Sequence, residues 1–281
     1  MSKKFILNAD DFGLSKEHNQ AVLTGYNSGF LSSASLCANG EAFEPAINDI
    51  IPECPNLGIG VHLNIIEGKS LTNSKFLTDK DGCFKLVYID MIKLSKNKDF
   101  LSEVEQEFRA QIEKIKKFTS IDHIDSHVHT HAIPEIFEIV CKLAKEYEIP
   151  YVRTQHEELY FVPNVKRHIN FSYPVNLLKI ALLNTFTVKN RKTLNKFGLK
   201  SNDYILGVGY RGMMDAETIR YGLENFDTDC TVEALIHPCC YQNNDIVNSH
   251  TKEFALTIDK TLEDKIQRMG FEITNYKKLS S

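Results

Sequence analysis

The chain has 281 residues, 33 Lys and Arg against 37 Asp and Glu, a formal net charge of −4 and a sequence pI near 6.2. That balance leaves no basic excess for sequence-independent nucleic-acid binding. Apolar residues at 42% and charged residues at 25% exclude disorder as the main state, and the length is ample for a large buried core in one α/β domain.

In chain order, Lys4–Ala9 reads as a short buried strand running into NADDFG. Its only apolar run, Phe5-Ile6-Leu7, is too short for an export signal, and no stretch reaches the ~18 apolar residues of a spanning helix. A cytoplasmic chain without stable membrane insertion is the expectation. Lys16–Ser28 carries Val22, Leu23 and Tyr26 at helical spacing, with Gly29 as a stop. Ser32–Ala38 reads as a strand, Ala42–Ile50 as a short helix and Leu57–Leu63 as a strand in which Gly58 and Gly60 permit close backbone approach. Leu101–Phe118 is the clearest helix, with Leu101, Val104, Phe108, Ile112 and Ile115 on one stripe. Ile121–Asp125 is a strand leading into DSHVHTH, and Pro134–Tyr147 is a helix opened by proline. Tyr151–Arg153, Thr231–Ile236 and Phe271–Thr274 read as strands, and Phe254–Met269 as a helix. Repeated strand–helix units mean a parallel sheet, open or closed into a barrel. Residues 68–97 and 156–202 break the alternation and read as insertions into a single domain.

The seven cysteines are odd in number, irregularly spaced and without a CxxC, so free thiols in a reducing compartment are the simplest reading. Vicinal Cys239-Cys240 reads as ordinary buried cysteine. The stretch Val175–Phe186, followed by Lys189, Arg191, Lys192 and Lys196, fits a helix packed on the barrel or over the site better than an interfacial helix. Tyr26, Tyr151, Tyr204 and Tyr210 are of the type that stacks on sugar rings, although core tyrosines look the same.

Polar residues gather just after the strands: Asp10 and Asp11, His62, His127 with His129 and His131, and His237. In parallel α/β folds the C-terminal strand ends share one rim, where sites assemble. Adjacent side chains on an extended segment face opposite ways, so Asp10 and Asp11 divide their work, one toward a metal and one toward substrate. A turn or capping aspartate is the plainer alternative. If DSHVHTH is extended, its three histidines point one way, neighbours about 7 Å apart and the outer pair about 13 Å. One or two metal ligands are then expected there, completed by a carboxylate.

NADDFGLS at 8–15, Gly-x-His-Leu at 60–63, DSHVHTHAIP at 125–134 and Glu233-x-x-x-His237-Pro238 together resemble the YdjC-like carbohydrate deacetylases over nearly the whole chain. The resemblance implies a distorted TIM-like (β/α) barrel related to polysaccharide deacetylases. It implies one divalent metal ion and removal of acetyl from an N-acetylated sugar such as a chitooligosaccharide. By position, Asp11, His62 and His127 would hold the metal, Asp10 would be the base, His237 the acid, and Arg153 would orient Asp10. His129 and His131 are left for substrate contact or support of the ligands. Glu233 is a carboxylate expected to raise the pKa of His237. The resemblance favours Mg²⁺, whereas imidazole-rich ligation favours Zn²⁺. The alternatives are another metal-dependent hydrolase, an amidohydrolase or phosphoesterase, and a catalytically silent sugar-binding protein. A homodimer is the default assembly.

Overall fold

A computed structural model describes residues 2–169, 171–241 and 248–280. Among them, parallel pairing unites β1 (Lys3–Phe12), β2 (Ser33–Leu36), β3 (Gly58–Leu63), β4 (His123–Ser126), β5 (Tyr151–Val152), β6 (Tyr204–Leu206), β7 (Thr231–Ile236) and β8 (Phe271–Ile273). The order is β5-β4-β3-β2-β1-β7-β6, with β8 added on β1. One edge of β1 pairs with β7 from Lys4 to Ala9. Its other edge is shared by β8 at Lys3–Phe5 and β2 from Asn8 onward. The run Phe5-Ile6-Leu7 is fully buried, as expected of a strand covered on both faces.

The outermost strands β5 and β6 meet through an irregular seam. Val152 N–H donates to Lys200 O at 3.0 Å, and Ile205 N–H to His156 O at 2.8 Å. The Asn202 carboxamide bridges the gap, accepting from Thr154 N–H and donating to Thr154 O, both at 2.9 Å. The sheet thus curves into a distorted (β/α) barrel, as anticipated.

The helices are α1 (Lys16–Ser28), α2 (Phe43–Pro45), α3 (Tyr88–Leu94), α4 (Lys98–Lys116), α5 (Pro134–Glu146), α6 (Val165–His168), α7 (Tyr173–Phe197), α8 (Ala216–Leu223), α9 (Ser249–Thr257), α10 (Lys260–Arg268) and α11 (Tyr276–Ser280). Val104, Phe108, Ile112 and Ile115 of the α4 stripe are buried as their spacing predicts and Leu101 is partly exposed, but the helix starts earlier because Asn97 caps the N–H of Phe100. The expected helix over Ala42–Ile50 is a single α turn followed by a π turn over Ala46–Ile50 and a 3₁₀ turn at Ile51–Glu53. Phe254–Met269 is not one helix. The chain breaks at Ile258, and Asp259 restarts it by accepting from Leu262 N–H at 3.0 Å. β6, α8 and α11 have no counterpart in the sequence reading.

Residues 68–97 carry α3, and residues 156–202 carry α6 and α7. The stretch Val175–Phe186 forms the first half of α7. Its Ile180 and Leu183 pack with Ala132, Ile205, Val208 and Leu235, so it rests on the barrel. None of the described helices is long and apolar enough to cross a membrane.

The barrel interior at this rim is polar. Asn8, Ser35, His123, Asp125, Arg153 and Glu233 are all fully buried. Gly60 is required here: a Cβ would sit 2.3 Å from Nε2 of His123, so the glycine makes room for that ring.

Candidate active site

β1 ends in the two aspartates, and its pairing with β2 shifts register between Ala9 and Phe12. Asp11 sits there at φ 65°, in the left-handed region that a non-glycine residue adopts only when its surroundings enforce it. The irregularity separates the two carboxylates.

Asp10 turns to Arg153. The guanidinium donates to both Asp10 oxygens, at 2.9 and 2.7 Å, a bidentate pair. The same group donates to Glu233 at 2.9 Å through Nε and lies 2.6 Å from Asp125. Arg153 is fully buried, and its three carboxylates hold it cationic against the cost of burial. The expected Arg153–Asp10 contact is present.

Asp11 turns to the histidines. Its Oδ1 lies 2.9 Å from His127 Nδ1 and 3.3 Å from His62 Nε2. The two imidazole rings face each other edge to face, with centroids 5.7 Å apart. His62 Nδ1 is engaged by Asp125 at 2.7 Å, which directs Nε2 at Asp11. Burial works against charge on His62, but Asp125, Asp11 and Asp10 outweigh it and raise its pKa to about 10. Burial likewise opposes charge on Asp11, yet His127 and His62 pull its pKa well below the usual value. This is a field that favours positive charge. One carboxylate and two imidazoles converging in such a field fit a divalent cation. Donor atoms of Asp11, Cys37 and His62 lie within 4.8 Å of one another, as do those of Asp10, His62 and Asp125; the sequence reading assigned neither Cys37 nor Asp125, and His127 meets the first group at Asp11.

His237 follows β7. Its backbone N–H donates to Glu253 Oε2 at 2.6 Å, and its Nδ1 lies 3.3 Å from the same oxygen. Burial lowers the His237 pKa, but Glu253, followed by Asp11 and Asp10, outweighs it and raises the pKa. The partner expected for His237, Glu233, is engaged elsewhere. It faces the barrel interior, where it accepts from Arg153 and, at 2.6 Å, from the Tyr276 hydroxyl. Residues four apart in a strand lie on one face, but His237 stands beyond the strand end, and the chain has turned.

DSHVHTH is not extended. After Ser126 it winds into a 3₁₀ turn with Val128 and His129 in the left-handed region. The three rings therefore diverge. His127 goes to Asp11. His129 lines a cavity, where its buried Nδ1 has no hydrogen-bond partner; burial and then Arg153 press its pKa well below the ordinary value, so it is neutral. His131 does not reach that cavity, contrary to the expected substrate contact. It is fully buried, with Nδ1 2.5 Å from Ser126 Oγ and Nε2 3.0 Å from Arg153 O, and it pins the turn to β5.

The cavity holds about 450 Å³ and has Asp10, His127, His129 and His237 together in its lining. Tyr26, Tyr151, Tyr204 and Tyr210 do not line it; Tyr151 and Tyr210 are core residues, and Tyr204 packs on Phe226. The tyrosine in the wall is Tyr88, from a segment read as loop.

Asp125 and Glu253 are the residues that sequence reasoning missed. Asp125 had a signal: a carboxylate inside a buried strand needs a partner. Glu253, on α9, had none.

The sequence profile described as YdjC-like protein matches residues 4–268. The chain belongs to the YdjC-like family. Among its relatives are proteins named carbohydrate deacetylase. One from Clostridium beijerinckii is 38% identical over 172 residues, 60% of this chain and 67% of that protein. One from Brevibacillus brevis is 39% identical over 149 residues, 52% of this chain and 58% of that protein. A third, from Listeria monocytogenes, is 29% identical over 98% of this chain and 100% of its own length. A crystal structure from Enterococcus faecalis V583, named for cellobiose-phosphate cleavage, superposes with a TM-score of 0.76 at 23% identity, covering 99% of both chains. The fold is thus shared over nearly the whole of both chains.

Proposed function

We propose that this YdjC-like protein is a metal-dependent carbohydrate deacetylase that removes acetyl from an N-acetylated sugar of the N-acetylglucosamine type. The observation that carries this reading is one cavity whose lining brings Asp10, His127 and His237 together, with Asp11 in contact with His127 and His62 behind it. Sugar binding alone needs no such grouping.

An amide resists hydrolysis because its carbonyl is a weak electrophile and its amine a poor leaving group. Asp11, His62 and His127 would hold a divalent ion, Mg²⁺ or Zn²⁺, which would supply Lewis-acid polarisation of the acetyl carbonyl and acidify water. Asp10, fixed by the Arg153 fork, takes a proton from the attacking water. His237 takes the opposite role: with Nδ1 engaged by Glu253, which favours the protonated ring, its Nε2 delivers a proton to the departing sugar nitrogen. Neutral His129 offers hydrogen bonding to the sugar or to the developing oxyanion. Buried Leu183, Val208 and Leu235 form an apolar wall suited to the acetyl methyl.

The test is acetate release from N-acetylglucosamine and diacetylchitobiose by metal-stripped, Mg²⁺-loaded and Zn²⁺-loaded protein, with Asp10→Asn as control. Metal-dependent release that the control loses supports the reading. Release of phosphate from sugar phosphates, with none of acetate from any sugar, overturns it.

A further inference from the structure

Among the described residues, the cavity beyond its catalytic floor offers little to a second sugar ring. Among the described residues its upper wall is built by α3 and its approach (Val87, Ile89, Ile92) and by α7 (Leu182, Leu183), with Tyr88 as its aromatic residue. Each further pyranose brings several hydroxyls, which lose water on entry and need partners. This wall has few to give. Lys179 and Arg211 also line the cavity, and both are exposed.

The apolar surface also continues out of the cavity. Val87 and Ile89 are 61% and 62% exposed on one lip, and Leu182 is 38% exposed on the other. Leu178, four residues before Leu182 and so on the same helix face, is 72% exposed. Large aliphatic side chains on both lips of a reaction cavity mark a ligand groove rather than scattered surface leucines.

We propose that the sugar of this enzyme carries an apolar aglycone, an alkyl or prenyl-like chain that lies between α3 and α7 while the N-acetyl group sits at Asp10 and His237. This rests on the deacetylase reading and narrows its substrate class from a longer chitooligosaccharide to an amphiphilic N-acetylglucosaminide.

The experiment is acetate release from methyl, n-hexyl and n-octyl N-acetyl-β-glucosaminides, all below their micelle concentrations, alongside diacetylchitobiose and tetraacetylchitotetraose. Each methylene that is buried contributes about fourfold in binding, so kcat/KM rises at least tenfold from methyl to octyl, through KM. Ile89→Asp and Leu182→Asp bring the octyl-to-methyl ratio towards one. Val188→Asp, an exposed position on α7 outside the cavity lining, keeps the ratio. Equal kcat/KM along the alkyl series, a rise that both lip variants keep, or tetraacetylchitotetraose turning over faster than the octyl glycoside overturns the proposal while leaving deacetylation intact. Failure to release acetate from every sugar, diacetylchitobiose included, overturns the deacetylase reading itself.

Discussion

Glu253 holds His237 by a single oxygen, which accepts from the His237 backbone N–H at 2.6 Å and lies 3.3 Å from Nδ1. The contact fixes the ring and favours its cationic form. If protonated His237 delivers the proton to the leaving nitrogen, activity is lost as pH rises through its raised pKa. Glu253→Gln keeps the shape and removes the charge, so the alkaline limb of the kcat/KM–pH profile moves to lower pH. An unmoved alkaline limb means that another group titrates there.

Arg153 predicts a contrast between two variants. Arg153→Met strands Asp10, Asp125 and Glu233 without their shared cation, and removing one partner of a buried ion pair costs about 3–5 kcal/mol. The thermal midpoint should fall on the order of 10 °C. Asp10→Asn leaves two carboxylates facing the guanidinium, so the fold is retained while acetate release falls about 10²–10⁴-fold. Differential scanning calorimetry with a turnover assay separates the two; equal destabilisation by both contradicts the arrangement.

How much of this was legible in the sequence follows from which contacts are local. Strand ends were readable because apolar runs stop abruptly at Asp10, His62 and His237, and the rim rule then brings them together. The turn in DSHVHTH was not readable, because strict alternation looks like an extended segment. The Ser126–His131 contact and the left-handed pair Val128-His129 bend it instead. Nor was the split helix at Ile258, since the apolar spacing continues through the break. Glu253 is set by how α9 docks on β7, a long-range property with no spacing of its own. The cavity wall came from α3, hidden in a segment whose composition resembles loop.

Asp125 should matter to metal affinity without touching the ion. It orients His62 through Nδ1, and loss of such a support typically weakens metal binding 10–100-fold. Asp125→Asn is therefore expected to need 10–100 times more Mg²⁺ or Zn²⁺ for half-maximal occupancy in chelator-competition titrations, whereas His62→Gln binds little at all. Unchanged occupancy in both variants would remove the metal from Asp11, His62 and His127.

Glu157 links stability to pH. Its buried carboxylate accepts from the backbone N–H groups of Gly207, Val208 and Gly209, at 3.4, 2.8 and 3.2 Å, in the loop after β6. Burial outweighs these bonds and raises its pKa from 4.5 to about 7. A raised carboxyl binds its proton more tightly folded than unfolded, so its contribution is complete below 4.5 and is lost as pH rises to about 7. The thermal midpoint of the wild type relative to Glu157→Gln should therefore decline between pH 4.5 and 7. A difference that grows with pH would show the three N–H donors to be the stronger influence.

The central strand has a consequence for biosynthesis. β2 follows β1 at once, but β1 also pairs Lys4 with Thr231 and Phe5 with Ile273, so β7 and β8 emerge more than 220 residues after it. At about 5–20 residues per second the ribosome takes on the order of ten to forty-five seconds to supply them. Throughout that interval Phe5-Ile6-Leu7 and the paired aspartates have no completed sheet to enter. The nascent chain must therefore shelter the edge that β7 and β8 will cover, by a chaperone or by non-native contacts beside the β1–β2 pair, until synthesis is nearly over.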